Sequence, residues 1–266
     1  SATIGATPTY KITYENKQPL SLKKATLNVQ YPEGFVFISS DVESKNSGHT
    51  EWQLGEIAAN RKREISITGI MYGSLHQKQS WRVFLKYQPE NFGSEFQRAV
   101  ALEVITDKNP FSLIVSGASK TLAGNIAEYT FTVKKESDSS ITKLEVKPAW
   151  PKNFVLASSS PALSKDHKWI IEPTKGRTTT SSPPNSWAFK LAGGFTNSTD
   201  SATEISGALL VMANNKTFTL SDSKITPQVA KNDLDLGLAI NGSLSNFSIQ
   251  PGGELNITLS LKNVSD

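Results

Sequence analysis

The 266-residue chain contains no cysteine, which removes disulfide frameworks, thiolate metal sites and cysteine nucleophiles together. It also lacks any apolar run long enough to span a bilayer, and no secretory leader pattern opens it. Histidine is scarce. His49, His76 and His167 are the three in the chain, and none has a second histidine or a carboxylate at metal-ligand or catalytic spacing. No Gly-x-Ser-x-Gly elbow, phosphate loop or dinucleotide fingerprint occurs. A hydrolytic carboxylate pair meets in space rather than in sequence and stays open at this stage. Charge of one sign is missing too: 28 basic and 24 acidic residues interleave to a net +4, weak grounds for nucleic acid binding. The densest basic cluster, Arg61-Lys62-Arg63, sits between strand patterns and reads as a solvated hairpin tip. Asp233 and Asp235 are too few oxygens for a calcium site, so neither metal nor cofactor is implied.

What is present is an ordinary globular composition, 37% hydrophobic and 20% charged, written out as a repeat. Tyr31-Pro32-Glu33-Gly34-Phe35-Val36 returns as Trp150-Pro151-Lys152-Asn153-Phe154-Val155, 119 residues later. Proline fixes φ and Gly or Asn accepts positive φ, so each copy predicts a turn leading into a strand. The alternation Tyr10, Ile12, Tyr14 is that of a half-buried strand and recurs as Tyr129, Phe131, Val133 and as Ile257, Leu259, Leu261. Trp52-Gln53-Leu54 matches Trp169-Ile170-Ile171, and Ile65, Ile67, Gly69 match Phe189, Leu191, Gly193 after a polar insertion in Pro173 to Ser186. Phe111 to Ser116 opens the second copy and Leu236 to Ile240 the third, whereas the first copy has no counterpart.

Trp52 and Trp169 hold equivalent positions and are expected in the cores; Trp81, Trp150 and Trp187 carry less constraint. His49 and His167 precede those paired tryptophans in comparable loops and read as polar loop residues. Trp150 and its counterpart Tyr31 stand at the turn. An aromatic there either staples the turn or stacks on a sugar or partner, so both are candidate ligand contacts. Asn-x-Ser/Thr patterns occur at Asn197, Asn215, Asn241, Asn246, Asn256 and Asn263, little more than chance supplies, with Asn256 expected to face outward on its strand.

The order Tyr10-x-Ile12-x-x-x-Asn16, Val29, Pro32-x-Gly34-Phe35, Trp52-x-Leu54-Gly55-x-Ile57 and Gly69 resembles the immunoglobulin-like surface repeat found in tandem in large bacterial cell-surface proteins. It is similar in particular to repeats of very long membrane-anchored proteins in small-genome, host-dependent bacteria. The second copy departs from the pattern at Asn153 and Glu172, where it has glycine. The resemblance implies an extracellular stalk or adhesion array and carries over no catalytic residue.

These readings predict an all-β chain of tandem immunoglobulin-like β-sandwiches. Residues 1–106 form one that lacks its first strand, 107–228 a second, and 229–266 the first strands of a third. The expected function is a non-enzymatic structural or adhesive segment of a bacterial surface protein or filament, extracellular at the cell surface. Its expected partners are neighbouring immunoglobulin-like domains of the same or another chain, with no nucleic acid and no membrane contact by this segment. One alternative is a module binding a host or cell-surface glycan or protein through Trp150 or the insertion. Another is a head-to-tail polymer in which Leu236 to Ile240 adds to the open edge of the next copy's first repeat. The leading expectation for the ends is that they are cut points in a longer array.

Overall fold

The computed structural model describes residues 2–174, 185–196, 203–230, 234–243 and 248–263, and among them there are strands and no helix. The first sandwich comprises β1 (Ala2–Thr3), β2 (Thr9–Glu15), β3 (Leu22–Gln30), β4 (Phe35–Ser40), β5 (Glu51–Ile57), β6 (Lys62–Met71), β7 (Gln77–Pro89) and β8 (Phe96–Lys108). Its two sheets run β1-β8-β7-β3-β5 and β2-β6-β4. The second comprises β9 (Phe111–Gly117), β10 (Lys120–Leu122), β11 (Ala127–Lys135), β12 (Leu144–Ala149), β13 (Phe154–Ser160), β14 (Trp169–Ile171), β15 (Ser186–Phe195), β16 (Ile205–Ala213), β17 (Lys216–Ile225) and β18 (Gln228–Ala230). Its main sheets run β13-β15-β11-β9 and β14-β12-β16-β17, while β10 and β18 pair in parallel. A last antiparallel pair joins β19 (Leu234–Ile240) to β20 (Ile257–Asn263).

Apart from β9, which has no counterpart among the described strands of the first sandwich, the two coincide strand for strand. The sheet β2-β6-β4 repeats as β11-β15-β13, and β8-β7-β3-β5 repeats as β17-β16-β12-β14. Even β1, parallel to the end of β8, has its counterpart in β10, parallel to β18. Period-2 alternation builds these sheets by sending every second apolar side chain inward. Trp52 and Trp169 lie in the two cores, and their indole nitrogens donate to equivalent carbonyls, Val42 O at 3.1 Å and Pro161 O at 2.7 Å. Trp81 is also a core residue, packed on Tyr10 and Phe35. Its place in the alternation Trp81, Val83, Leu85, Tyr87 carried that signal.

The repeated turn works differently from its sequence reading. Neither Gly34 nor Asn153 has positive φ. Glycine is required at position 34 by a close approach: a Cβ would fall 1.9 Å from Tyr72 O. In each copy the phenylalanine amide bonds back to the proline carbonyl at 3.0 Å, and the next strand bonds the Gly or Asn carbonyl, through Tyr72 N and Thr196 N. Each copy then breaks register at one point, between Phe37 and Ser39 and between Leu156 and Ser158. Such a bulge twists the strand and re-aims what precedes it. Facing it stand Gly69 and Gly193, where a Cβ would lie 2.3 Å from the Phe35 ring and 2.5 Å from the Phe154 ring. The departure at Glu172 has a visible consequence. Gly55, at φ 71°, carries β5 through a bulge to Ile57, whereas β14 stops at Ile171.

β9 closes one side of the second sandwich. It pairs with β11 along one edge, and on the other its Leu113 and Val115 amides donate to the Ser221 and Ser223 hydroxyls of β17, at 3.2 and 2.9 Å. Tyr129, Phe131 and Val133 are consequently sealed, while Tyr10 and Ile12 of β2 remain half-buried. Among the described residues no strand pairs with the second edge of β2. Along β20 the apolar face of Ile257, Leu259 and Leu261 is exposed.

Replacing Gly69 or Gly193 by alanine forces a methyl into the turn phenylalanine, and overpacking of this kind costs about 1–3 kcal/mol. Urea unfolding of each variant is expected to show a lowered midpoint. Gly93→Ala, with open space around the added methyl, stays within about 0.5 kcal/mol of the parent.

Candidate functional site

Built from the turn outward, Tyr31 lies half-buried. Its ring packs on Phe35 at 4.8 Å and edge-on to Trp81 at 5.2 Å, and its hydroxyl donates to the His49 carbonyl. Trp150 holds the matching place in the second copy, against Phe154 at 6.5 Å and His167 at 6.0 Å. His49 and His167 adopt φ of 52° and 51° in the loops before the paired tryptophans. Each loop closes alike, with His49 N on Asn46 O and His167 N on Ser164 O. The His49 ring stacks on Phe37 at 4.2 Å, and its Nδ1 lies 2.7 Å from Ser44 Oγ. The two histidines therefore shape the loops that hold Tyr31 and Trp150. His76, at φ 61°, lies in the separate turn between β6 and β7.

Burial pushes the Tyr31 hydroxyl well above the ordinary phenol range, and Tyr10, Tyr72 and Tyr129 are shifted the same way for the same reason. No group of three or more His, Cys, Asp or Glu among the described residues could hold a metal ion. Of the glycosylation candidates, Asn215 is exposed in the β16–β17 turn and Asn241 sits in a turn with φ 49°. Asn256 is exposed one residue ahead of β20 rather than on it, and Asn263 ends β20. Asn197, Asn246, Asp233 and insertion residues 175–184 lie outside the described residues; Asp235 is in register with Lys262.

The chain's most developed contact surface lies where the two sandwiches meet, and sequence reasoning missed it. Ile4, which follows β1 of the first sandwich, is 0% exposed and belongs to the core of the second, beside Ile141. Val36 and Tyr72 of the first sandwich pack against the same cluster. Gly5, at φ 72°, bridges the two bodies: its amide donates to Met71 O at 2.7 Å and its carbonyl accepts from Ser140 N at 2.8 Å. A Cβ on Gly5 would sit 2.3 Å from Ser139 Oγ, so the approach and the backbone conformation both require glycine. Across the joint, Asn214 Nδ2 donates to Glu33 O at 3.1 Å and Phe35 O at 2.9 Å, and Lys216 pairs with the Glu33 carboxylate. The repeated turn is thus also a docking element. The available signal was the isolated Ile4-Gly5 pair ahead of the first alternating strand.

No family model and no curated protein matches the chain. Solved structures similar to it include the full-length major pilin SpaD from Corynebacterium diphtheriae, at 8% identity and TM-score 0.35 over 92% of this chain and 70% of that one. The collagen adhesin CNA from S. aureus is similar at 8% identity and TM-score 0.24, over 98% of this chain and 92% of that one. Red sea bream transglutaminase is similar at 10% identity and TM-score 0.33, over 86% of this chain but 30% of that one. Scores below 0.5 carry no weight for function.

The raised phenols predict an alkaline limit. Folding favours the neutral phenol, so this stabilisation is complete below the unfolded value of about 10 and is lost as pH rises through the higher folded values. Phenolate absorbance and unfolding, followed together, are expected to rise in one step above that range. Ionisation of these four tyrosines with the fold intact would contradict it.

Proposed function

We propose that the chain is a non-enzymatic structural segment of a bacterial surface protein or filament, in which successive sandwiches are fixed end to end so that they transmit position and load. The observation that carries this reading is the joint. Two independent modules merely joined by a linker would have no reason for one to place an isoleucine in the other's core. Full burial of such a side chain contributes about 1.5–3 kcal/mol. The exposed Lys216–Glu33 ion pair adds at most about 1 kcal/mol, so apolar insertion dominates and the polar contacts orient. An interface of this kind suppresses the relative domain motion that small polar interfaces permit. The extracellular setting belongs to the same proposal.

The test is coupling. Ile4→Ala removes a buried side chain at a cost of about 2–5 kcal/mol. In calorimetry it is expected to split one cooperative transition into two, the second sandwich melting earlier. Two independent transitions already present in the parent protein, unmoved by the substitution, would count against a load-transmitting segment.

A further inference from the structure

The outer face of the sheet β8-β7-β3-β5 carries charge that the fold does not ask for. Along β7 the side chains of Gln79, Trp81, Val83 and Leu85 turn into the first sandwich, so those of Lys78, Ser80, Arg82, Phe84 and Lys86 turn away from it. Lys78, Arg82 and Lys86 are exposed, and among the described residues none of their side chains has a hydrogen bond or ion pair. Successive bases stand four residues apart, about 13 Å along the strand. The neighbouring strands make a trough of this row. On one flank Ala101 and Ala99 of β8, in register with Arg82 and Phe84, leave space above the sheet. On the other, Gln30, Asn28 and Thr26 of β3 stand beside Arg82, Phe84 and Lys86. Towards the repeated turn the trough deepens into a depression of about 460 Å³, lined by Gln30, Tyr31, Gln77, Lys78, Ser80 and Arg82. Its acid, Glu33, is engaged by Lys216 at 2.6 Å, and Glu51, in register with Asn28, by Lys45 at 2.8 Å. Glu103, opposite Ser80, is left against the three bases.

The repeat supplies an internal control. Gln30 and Ala149 each precede the turn aromatic, and from them the register equates Arg82 with Ser206, Phe84 with Ala208 and Lys86 with Leu210. The second sandwich has Lys147 in place of Asn28, yet it builds the same sheet with no base at either β16 position. Arg82 and Lys86 therefore answer to something other than folding.

We propose that the trough binds an acidic polysaccharide, whose carboxylate or sulfate groups meet Lys78, Arg82 and Lys86 while its hydroxyls meet the Gln30 amide and the Ser80 hydroxyl between them. Arg82 makes the most specific contact, because a planar guanidinium takes two oxygens of one anionic group at once. The spacing of the bases suits a polymer rather than a lone anion. A nucleic acid strand would call for exposed aromatic platforms, and the aromatic in the trough, Phe84, is half-buried. This adds a binding role to the structural one and stands apart from it, since calorimetry of Ile4→Ala reports only on the joint.

The experiment is fluorescence anisotropy of the full 266-residue chain with labelled heparin, polygalacturonate, dextran and oligothymidylate, from about 0.15 M salt upward. Saturable binding of heparin or polygalacturonate is expected, the chain that binds naming sulfate or carboxylate as the anion. Affinity falls as salt rises, and dextran stays unbound. Arg82→Ser, which installs the residue of the second sandwich, weakens binding about tenfold with unchanged thermal stability. Lys86→Gln weakens it about threefold. Arg61→Ser removes the same charge from the tip between β5 and β6 and leaves affinity within about twofold. The proposal is overturned if neither acidic chain binds, if dextran or oligothymidylate binds as tightly, or if Arg82→Ser weakens binding no more than Arg61→Ser.

Discussion

One isoleucine seated in a neighbour's core sets the terms for the rest of the molecule. Ile4 belongs by connectivity to the first sandwich and by packing to the second. For it to reach that core, Gly5 has to adopt a left-handed conformation, the loop around Ser139 and Ser140 has to come close, and the turn before β4 has to lie against the β16–β17 hairpin. The turn in turn depends on a bulge and on a glycine opposite it, Gly69, which makes room for the Phe35 ring. Local geometry and inter-domain geometry are therefore one problem, and the repeat solves the local part twice.

The aromatic at the turn illustrates the interplay. Its ring packs on the buried phenylalanine of each core, Phe35 or Phe154, and the loop ahead of the paired tryptophan supplies a left-handed histidine beside it. Tyr31 is bonded to a backbone carbonyl and Trp150 leans on His167, so equivalent positions hold different side chains in different surroundings.

Much of the fold was legible because it rests on period-2 alternation and on turns, both of which are local. The three related strands at Tyr10, Tyr129 and Ile257, the paired tryptophans and the all-β architecture follow from such patterns. Reasons written in three dimensions were not legible. Gly34 reads as a conformational residue and proves to be a steric one, because Tyr72 O, far along the chain, occupies the space of its Cβ. Trp81 reads as less constrained than the paired tryptophans, yet its alternation with Val83 and Leu85 fixes it inside. The joint was least visible of all. It is assembled from Ile4, Glu33, Ser140 and Asn214, each unremarkable among its own neighbours.

On the proposed reading the two sandwiches move and unfold as one body. Native-state amide hydrogen exchange tests it most directly, because the Ser140 amide of the second sandwich spans the joint to the Gly5 carbonyl of the first, at 2.8 Å. If the sandwiches form one body, it exchanges as slowly as the amides of β11 in the middle of the second core, since opening it requires global unfolding. Exchange at the rate of exposed loops, with β11 still protected, would mean that the joint opens on its own and that the sandwiches are independent modules.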